Sequence, residues 1–243
     1  MPDAFTLANA RITLALNHSL NANPALFKFA FFMTEQGTKL LVLLTILILW
    51  FCHERHGDEA GAAQSRIENR ARILTFSLAI VLAYLAVRLV ALRLDVERPF
   101  ATFLPISGPP GIFNGLRSYG SFPSEYAVLL GALPAAFFGW KNWLGWCWAI
   151  PAVALAVMRV AVGMNYPLDM AAGALLGAVV VTYVLRRQAQ EGTFRELTKS
   201  LASGFDSKNS IYQYSLYVLA LLLMLEFSMN FRHVAGVMRT VGS

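Results

Sequence analysis

Three short clusters of polar residues interrupt an otherwise apolar chain, and their side chains are those that handle phosphate. Arg98 lies in ERPF, Ser121, Ser124, Glu125 and Tyr126 lie in SFPSEYA, and Arg159, Asn165 and Asp169 lie in MRVAVGMNYPLDM. Arg98 and Arg159 are permanently charged forks suited to two-point contact with phosphate oxygens. Ser124 opens an apolar stretch, where the unpaired N–H groups of a helix start would add a second anion-binding feature. Polar groups at the ends of membrane helices are costly to place and are retained for function. Two arginines, hydroxyls and a helix start therefore describe a site for a lipid phosphate headgroup.

Each residue also has a plainer reading. Arg98 and Arg159 could snorkel to the membrane interface. Asn165 or Tyr166 would cap a helix whose first position is Pro167, with Asp169 facing the helix dipole from its first turn. The spacing of four between Asn165 and Asp169 stacks both side chains on one face of a helix turn. Glu125 and Tyr126 could likewise be early-turn residues. His18, His53, His56 and His233 are scattered through polar or terminal segments, and Cys52, His53 and His56 do not make a metal set. Neither a metal nor another cofactor is called for.

The elements that must position these clusters follow from composition. The 243 residues are 57% hydrophobic and only 14% charged, with a mean hydropathy of +0.54, whereas a soluble domain carries about 25% charged residues. The expected fold class is all-α, a polytopic membrane helical bundle with about six transmembrane helices in a single domain over 1–243. An amphipathic stretch at 4–17 reads as an interfacial helix, followed by a short apolar piece around 25–34. Spans are expected at about 37–53, 73–92, 124–139, 143–162, 167–185 and 211–231. Trp143, Trp146 and Trp148 form an aromatic belt at the start of the fourth. The proline- and glycine-rich connection 98–122 is long enough to be a lid or site loop. The first twenty residues lack the pattern of a secretory signal, so the internal helices are expected to direct insertion. A disulfide between Cys52 and Cys147 is not expected.

The net charge of +6 resides in topology rather than in a nucleic-acid surface. Arg55, Arg66, Arg70 and Arg72 fall in the connection 54–72, and Arg186, Arg187, Arg195, Lys199 and Lys208 in 186–209. Positive loops stay in the cytoplasm, which places all three clusters on the opposite face. The expected location is the bacterial inner (plasma) membrane, with the site facing the periplasm. Glu226, inside the sixth span, has no obvious partner.

At these residues the chain resembles the type 2 phosphatidic acid phosphatase superfamily, which includes lipid phosphate phosphatases and vanadium haloperoxidases. It is most similar to the branch that dephosphorylates undecaprenyl pyrophosphate. The family pattern K-x6-RP, PSGH and SR-x5-H-x3-D is met here by Ala91-x6-Arg98-Pro99, Pro123-Ser124-Glu125-Tyr126 and Met158-Arg159-x5-Asn165-x3-Asp169. The resemblance covers about residues 20–185 and implies phosphate binding by Arg98, Ser124 and Arg159. Arg93 or Arg88 would stand in for the lysine whose place Ala91 takes.

The same resemblance implies that Asn165 occupies the place of the histidine nucleophile, Tyr126 that of the histidine acid, and Asp169 that of the orienting carboxylate. An amide is no useful phosphoryl nucleophile, so a phosphate cradle is kept while the phosphohistidine route is closed. Three readings stay open. The first is a transferase using a lipid-phosphate-linked donor, with Glu125, Tyr126 or Asp169 as acid, base or nucleophile and a sugar or glycan as acceptor. The second is a non-catalytic lipid-phosphate carrier or pseudophosphatase, and the third a pyrophosphate phosphatase without a histidine nucleophile. The expected partners are a phosphorylated isoprenoid or other lipid and the membrane, not nucleic acid.

Overall fold

The computed structural model describes residues 4–37, 42–43, 59–94, 96–102, 104–109, 112–113 and 120–204. These residues form helices and connections without a β-strand. The described residues hold seven α-helices, in order α1 (Ala4–Asn21), α2 (Pro24–Phe32), α3 (Glu59–Ala91), α4 (Glu125–Phe138), α5 (Asn142–Ala161), α6 (Pro167–Gln190) and α7 (Gly192–Gly204). A π-helical turn, Met33–Gly37, continues α2, and a 3-10 turn occupies Pro99–Ala101. The fold class is all-α, a membrane helical bundle. Gln64–Ala91, Asn142–Ala161 and Pro167–Gln190 are long and apolar enough to cross a membrane.

The span expected at 37–53, apart from residues 37 and 42–43, and the span at 211–231, with Glu226, lie outside the described residues. The third expected span becomes α4, 14 residues long and shorter than a membrane crossing. The connection expected at 54–72 is largely helical, because α3 begins at Glu59. Its sequence EAGAAQSRIENRAR is rich in Ala, Glu, Gln and Arg, strong helix formers that keep a polar stretch helical. For the same reason the basic connection expected at 186–209 holds the end of α6 and all of α7.

The structure divides into two compact units. The first comprises Met1–Leu40 with Leu82–Thr182, and the second Leu41–Val81 with Tyr183–Ser243. In the first unit, α1 and α2 pack against the end of α5, burying Leu20, Phe27, Ala30, Ala161, Val162 and Met164 together. Phe100 and Phe113 stack in parallel beside them, with ring centroids 4.9 Å apart. The buried amide of Asn17 ties α1 to this region, donating to the carbonyls of Ser107 and Ala161 at 2.9 Å each.

The contact between α4 and α6 is set by glycine. A Cβ added at Gly131 would lie 1.9 Å from the carbonyl oxygen of Ala174, and one at Gly177 would lie 2.2 Å from that of Val128. Real Cβ atoms do not approach so closely, so only hydrogen fits there, and the two backbones meet as small-residue helices do in membranes. Beside this seam Ala83, Val87 and Val128 are buried with Leu176 and Val180 packed against them. Leu89, Ile150 and Leu175 face outward, each about two-thirds exposed, as lipid-facing positions require.

In the second unit, Glu68 on α3 pairs with Lys199 at 3.2 Å and Arg195 at 3.4 Å on α7. Gln188 donates to the Thr198 hydroxyl at 3.3 Å, and both residues are buried.

Candidate functional site

The site grows from three chain ends within the first unit. The last turn of α5 supplies Arg159, whose charge suits a helix C-terminus. Gly163, with φ +85, turns the chain just beyond α5, and its carbonyl accepts from the Phe100 N–H at 3.2 Å. This bond sets the Arg98-Pro99 corner beside the bend, where Arg98 Nη1 donates to the carbonyl of Met164 at 3.0 Å. The N-terminus of α4 meets that of α6 directly, through a 3.0 Å bond from the Ser124 N–H to the Asp169 carbonyl.

All three polar clusters thus converge, and Ser121 joins two of their residues. Its hydroxyl donates to the carboxylate of Asp169. Asn165 Nδ2 donates to the Ser121 carbonyl at 2.9 Å and reaches the Ser121 hydroxyl at 3.3 Å. Asp169 also accepts from the Tyr166 N–H at 2.8 Å, the reach-back bond of a capping box. Asn165 does not cap α6 and does not share a helix face with Asp169, because the helix begins two residues later. Tyr166 takes the capping position, and Asn9 of α1 accepts from the Leu168 N–H at 3.3 Å.

Arg159 is the centre of the network. It is 1% exposed, so it does not snorkel. Its Nε donates to Asn165 Oδ1 at 2.8 Å, and its guanidinium carbon lies 3.7 Å from the centroid of the Tyr126 ring. Nη1 donates to Glu35 at 2.8 Å and to the Thr34 carbonyl at 3.3 Å. Nη2 is buried and has no hydrogen-bond partner among the described residues. A buried guanidinium N–H without an acceptor is costly.

Glu35 was not foreseen. It lies in the π-helical turn Met33–Gly37, a kind of distortion frequent at functional sites, and also accepts from the Tyr126 hydroxyl at 3.0 Å. A lone acid in FFMTEQG, next to an apolar stretch, was the signal in the sequence that pointed to it.

Ser124 caps α4, accepting from the Ala127 N–H at 3.4 Å. Glu125 follows and pairs with Arg88 of α3 at 2.9 Å. Of the two arginines weighed for the place of Ala91, Arg88 therefore points to the start of α4. Arg93 lies exposed just past the end of α3. Arg98, Ser124, Tyr126, Arg159, Asn165 and Asp169 are all buried.

Residues 72–192 match the family model described as the PAP2 superfamily. That stretch contains every residue of the cluster except Thr34 and Glu35. The bacitracin transport permease protein BcrC of Bacillus licheniformis is 31% identical over 120 residues, which make up 48% of this chain and 56% of that protein. The match thus spans little more than half the length of this curated relative. The crystal structure of Aquifex aeolicus LpxE aligns with a TM-score of 0.49 and 18% identity, over 72% of this chain and 93% of that one.

Proposed function

The chain belongs to the PAP2 superfamily, and from that premise we propose that it binds the phosphate of a polyprenyl phosphate or diphosphate lipid at the periplasmic face of the bacterial inner membrane. Arg98, Ser124 and Arg159 form the phosphate cradle. The observation that carries this reading is the buried Arg159 fork, with Nε and Nη1 bonded and Nη2 without an acceptor.

The family reaction is phosphate-ester hydrolysis. Here the proposed chemistry is altered, because Asn165 has both ends of its amide in hydrogen bonds and offers no nucleophile. The chain would act as a transferase. An acceptor hydroxyl attacks the carbon that the lipid phosphate activates, the carbon–oxygen bond to phosphate breaks, and its electrons stay on the departing phosphate. The arginines stabilise that charge, and a carboxylate, Glu125 or Asp169, takes the acceptor's proton. The acceptor is a sugar or glycan. Arg93, exposed beyond α3, would serve only as an outer contact for a diphosphate.

A second reading, a lipid-phosphate carrier or pseudophosphatase, is favoured by the pinning of Tyr126 to Glu35, which leaves both former histidine positions in fixed hydrogen bonds. Purified protein supplied with a polyprenyl phosphate-linked sugar, with and without a glycan acceptor, separates the readings. Transfer only when both are present supports the transferase. Arg159-dependent binding without turnover supports the carrier. Release of free phosphate from polyprenyl diphosphate would show that hydrolysis survives without histidine.

A further inference from the structure

The cradle already holds a carboxylate. Glu35 Oε1 lies 2.8 Å from Arg159 Nη1, the side of the fork that a doubly charged phosphate would share with Nη2. Two anchors keep it there. The Tyr126 hydroxyl donates to Oε2 at 3.0 Å, and the carbonyl of the preceding residue, Thr34, accepts from the same Arg159 nitrogen. Thr34 and Gly37 are buried in the same turn, so Glu35 is not a surface side chain that happens to lean inward. Its own side chain is 20% exposed, against 2% for Arg159.

The charges around it are balanced in pairs. Arg88 faces Glu125 and Arg159 faces Glu35, so both of these guanidiniums have a carboxylate partner before any ligand arrives. A ligand oxygen on Arg159 Nη2 would sit beside the Glu35 carboxylate. Close like charges in a dry site repel strongly, and the penalty grows with every negative charge the ligand brings.

We propose that Glu35 makes the cradle selective for a lipid phosphodiester, whose phosphate carries one negative charge, over a phosphomonoester or diphosphate. This rests on the reading that the cradle binds lipid phosphate, and it names the substrate class. A sugar joined to a lipid through one phosphate is such a diester. Glu35 is a specificity-determining residue that weakens binding of the dianion relative to the monoanion. The donors left open on Arg159 are those of Nη2 alone, next to the nitrogen that Glu35 already occupies.

The test compares dodecyl phosphate with its methyl ester, identical in tail and differing by about one charge at pH 8. Binding of each to the full-length protein in detergent is measured by calorimetry. The wild type is expected to prefer the methyl ester. In Glu35→Gln, which keeps hydrogen-bonding atoms on Arg159 and Tyr126, the preference is expected to move about tenfold toward dodecyl phosphate, a modest effect for one close charge. Tyr126→Phe, which unpins Glu35, is expected to move it in the same direction by less. An unchanged preference in Glu35→Gln, with both probes still bound through Arg159, overturns the role of Glu35 alone. If neither probe binds, or binding ignores Arg159→Lys, the phosphate-cradle reading falls, and the selectivity with it.

Discussion

Arg159 and Asn165 stand on either side of the bend between α5 and α6, and the Nε–H of the first meets Oδ1 of the second at 2.8 Å. The residue that stands where the resemblance places the nucleophile is therefore a bracket for Arg159. Asn165→Ala leaves a buried Nε–H unsatisfied and the Ser121 carbonyl without its donor. The expected loss is about 1–3 kcal/mol of stability, read as a lower midpoint of thermal unfolding in detergent, together with weaker binding of lipid phosphate. Unchanged stability and binding would separate Asn165 from the cradle.

Arg159→Lys keeps the charge and removes the fork. A lysine cannot reach Asn165, Glu35 and the Thr34 carbonyl together, nor lie flat on the Tyr126 ring. Binding of lipid phosphate is expected to weaken by at least about tenfold, the equivalent of one lost charge-assisted bond. Wild-type affinity in this variant would mean that charge alone suffices.

Gly177→Ala adds one carbon 2.2 Å from the Val128 carbonyl. The helices must part or the backbone must bend, at an expected cost of about 1–3 kcal/mol. Ser124 and Asp169, which meet where α4 and α6 begin, would separate too. The unfolding midpoint and lipid-phosphate binding are expected to fall together. Gly192→Ala serves as the control, since a Cβ there meets nothing within 4 Å.

Returning histidine to both former positions, Asn165→His with Tyr126→His, tests what the cradle alone can support. Release of phosphate from a lipid diphosphate is expected to appear in this double variant and to increase when Glu35→Gln is added. No release in the triple variant would mean that the arginines are not placed for phosphoryl transfer.

The helix starts were legible because their signals are local. Pro167 fixes a first helical position, and Ser124 stands where α4 opens. The convergence of Arg98, Ser121, Ser124, Arg159, Asn165 and Asp169 was legible too, because motif order survived even where individual side chains had changed. The extension of α3 back to Glu59 was not, since a polar, charged stretch reads as a loop until its high helix propensity is weighed. The Asn165–Asp169 relationship was read as a stacking along one helix. It is made instead through Ser121, a contact across 44 residues that no local spacing encodes. Glu35 escaped for a similar reason: it lies 124 residues from Arg159, and no pattern in its own neighbourhood names the partner.

The glycine seam between α4 and α6 bears on how a lipid could reach the site. Carbonyls pressed against Gly131, Gly173 and Gly177 leave no room for these helices to roll or ratchet past each other, so the wall that carries Ser124 and Asp169 is stiff. The turn bearing Thr34 and Glu35 is fastened to Arg159 and Tyr126 by hydrogen bonds from their side chains. Fastenings of that kind can be exchanged one by one for bonds to a ligand, as the seam cannot. The stiff wall thus acts as the anvil of the site and the Glu35 turn as its latch.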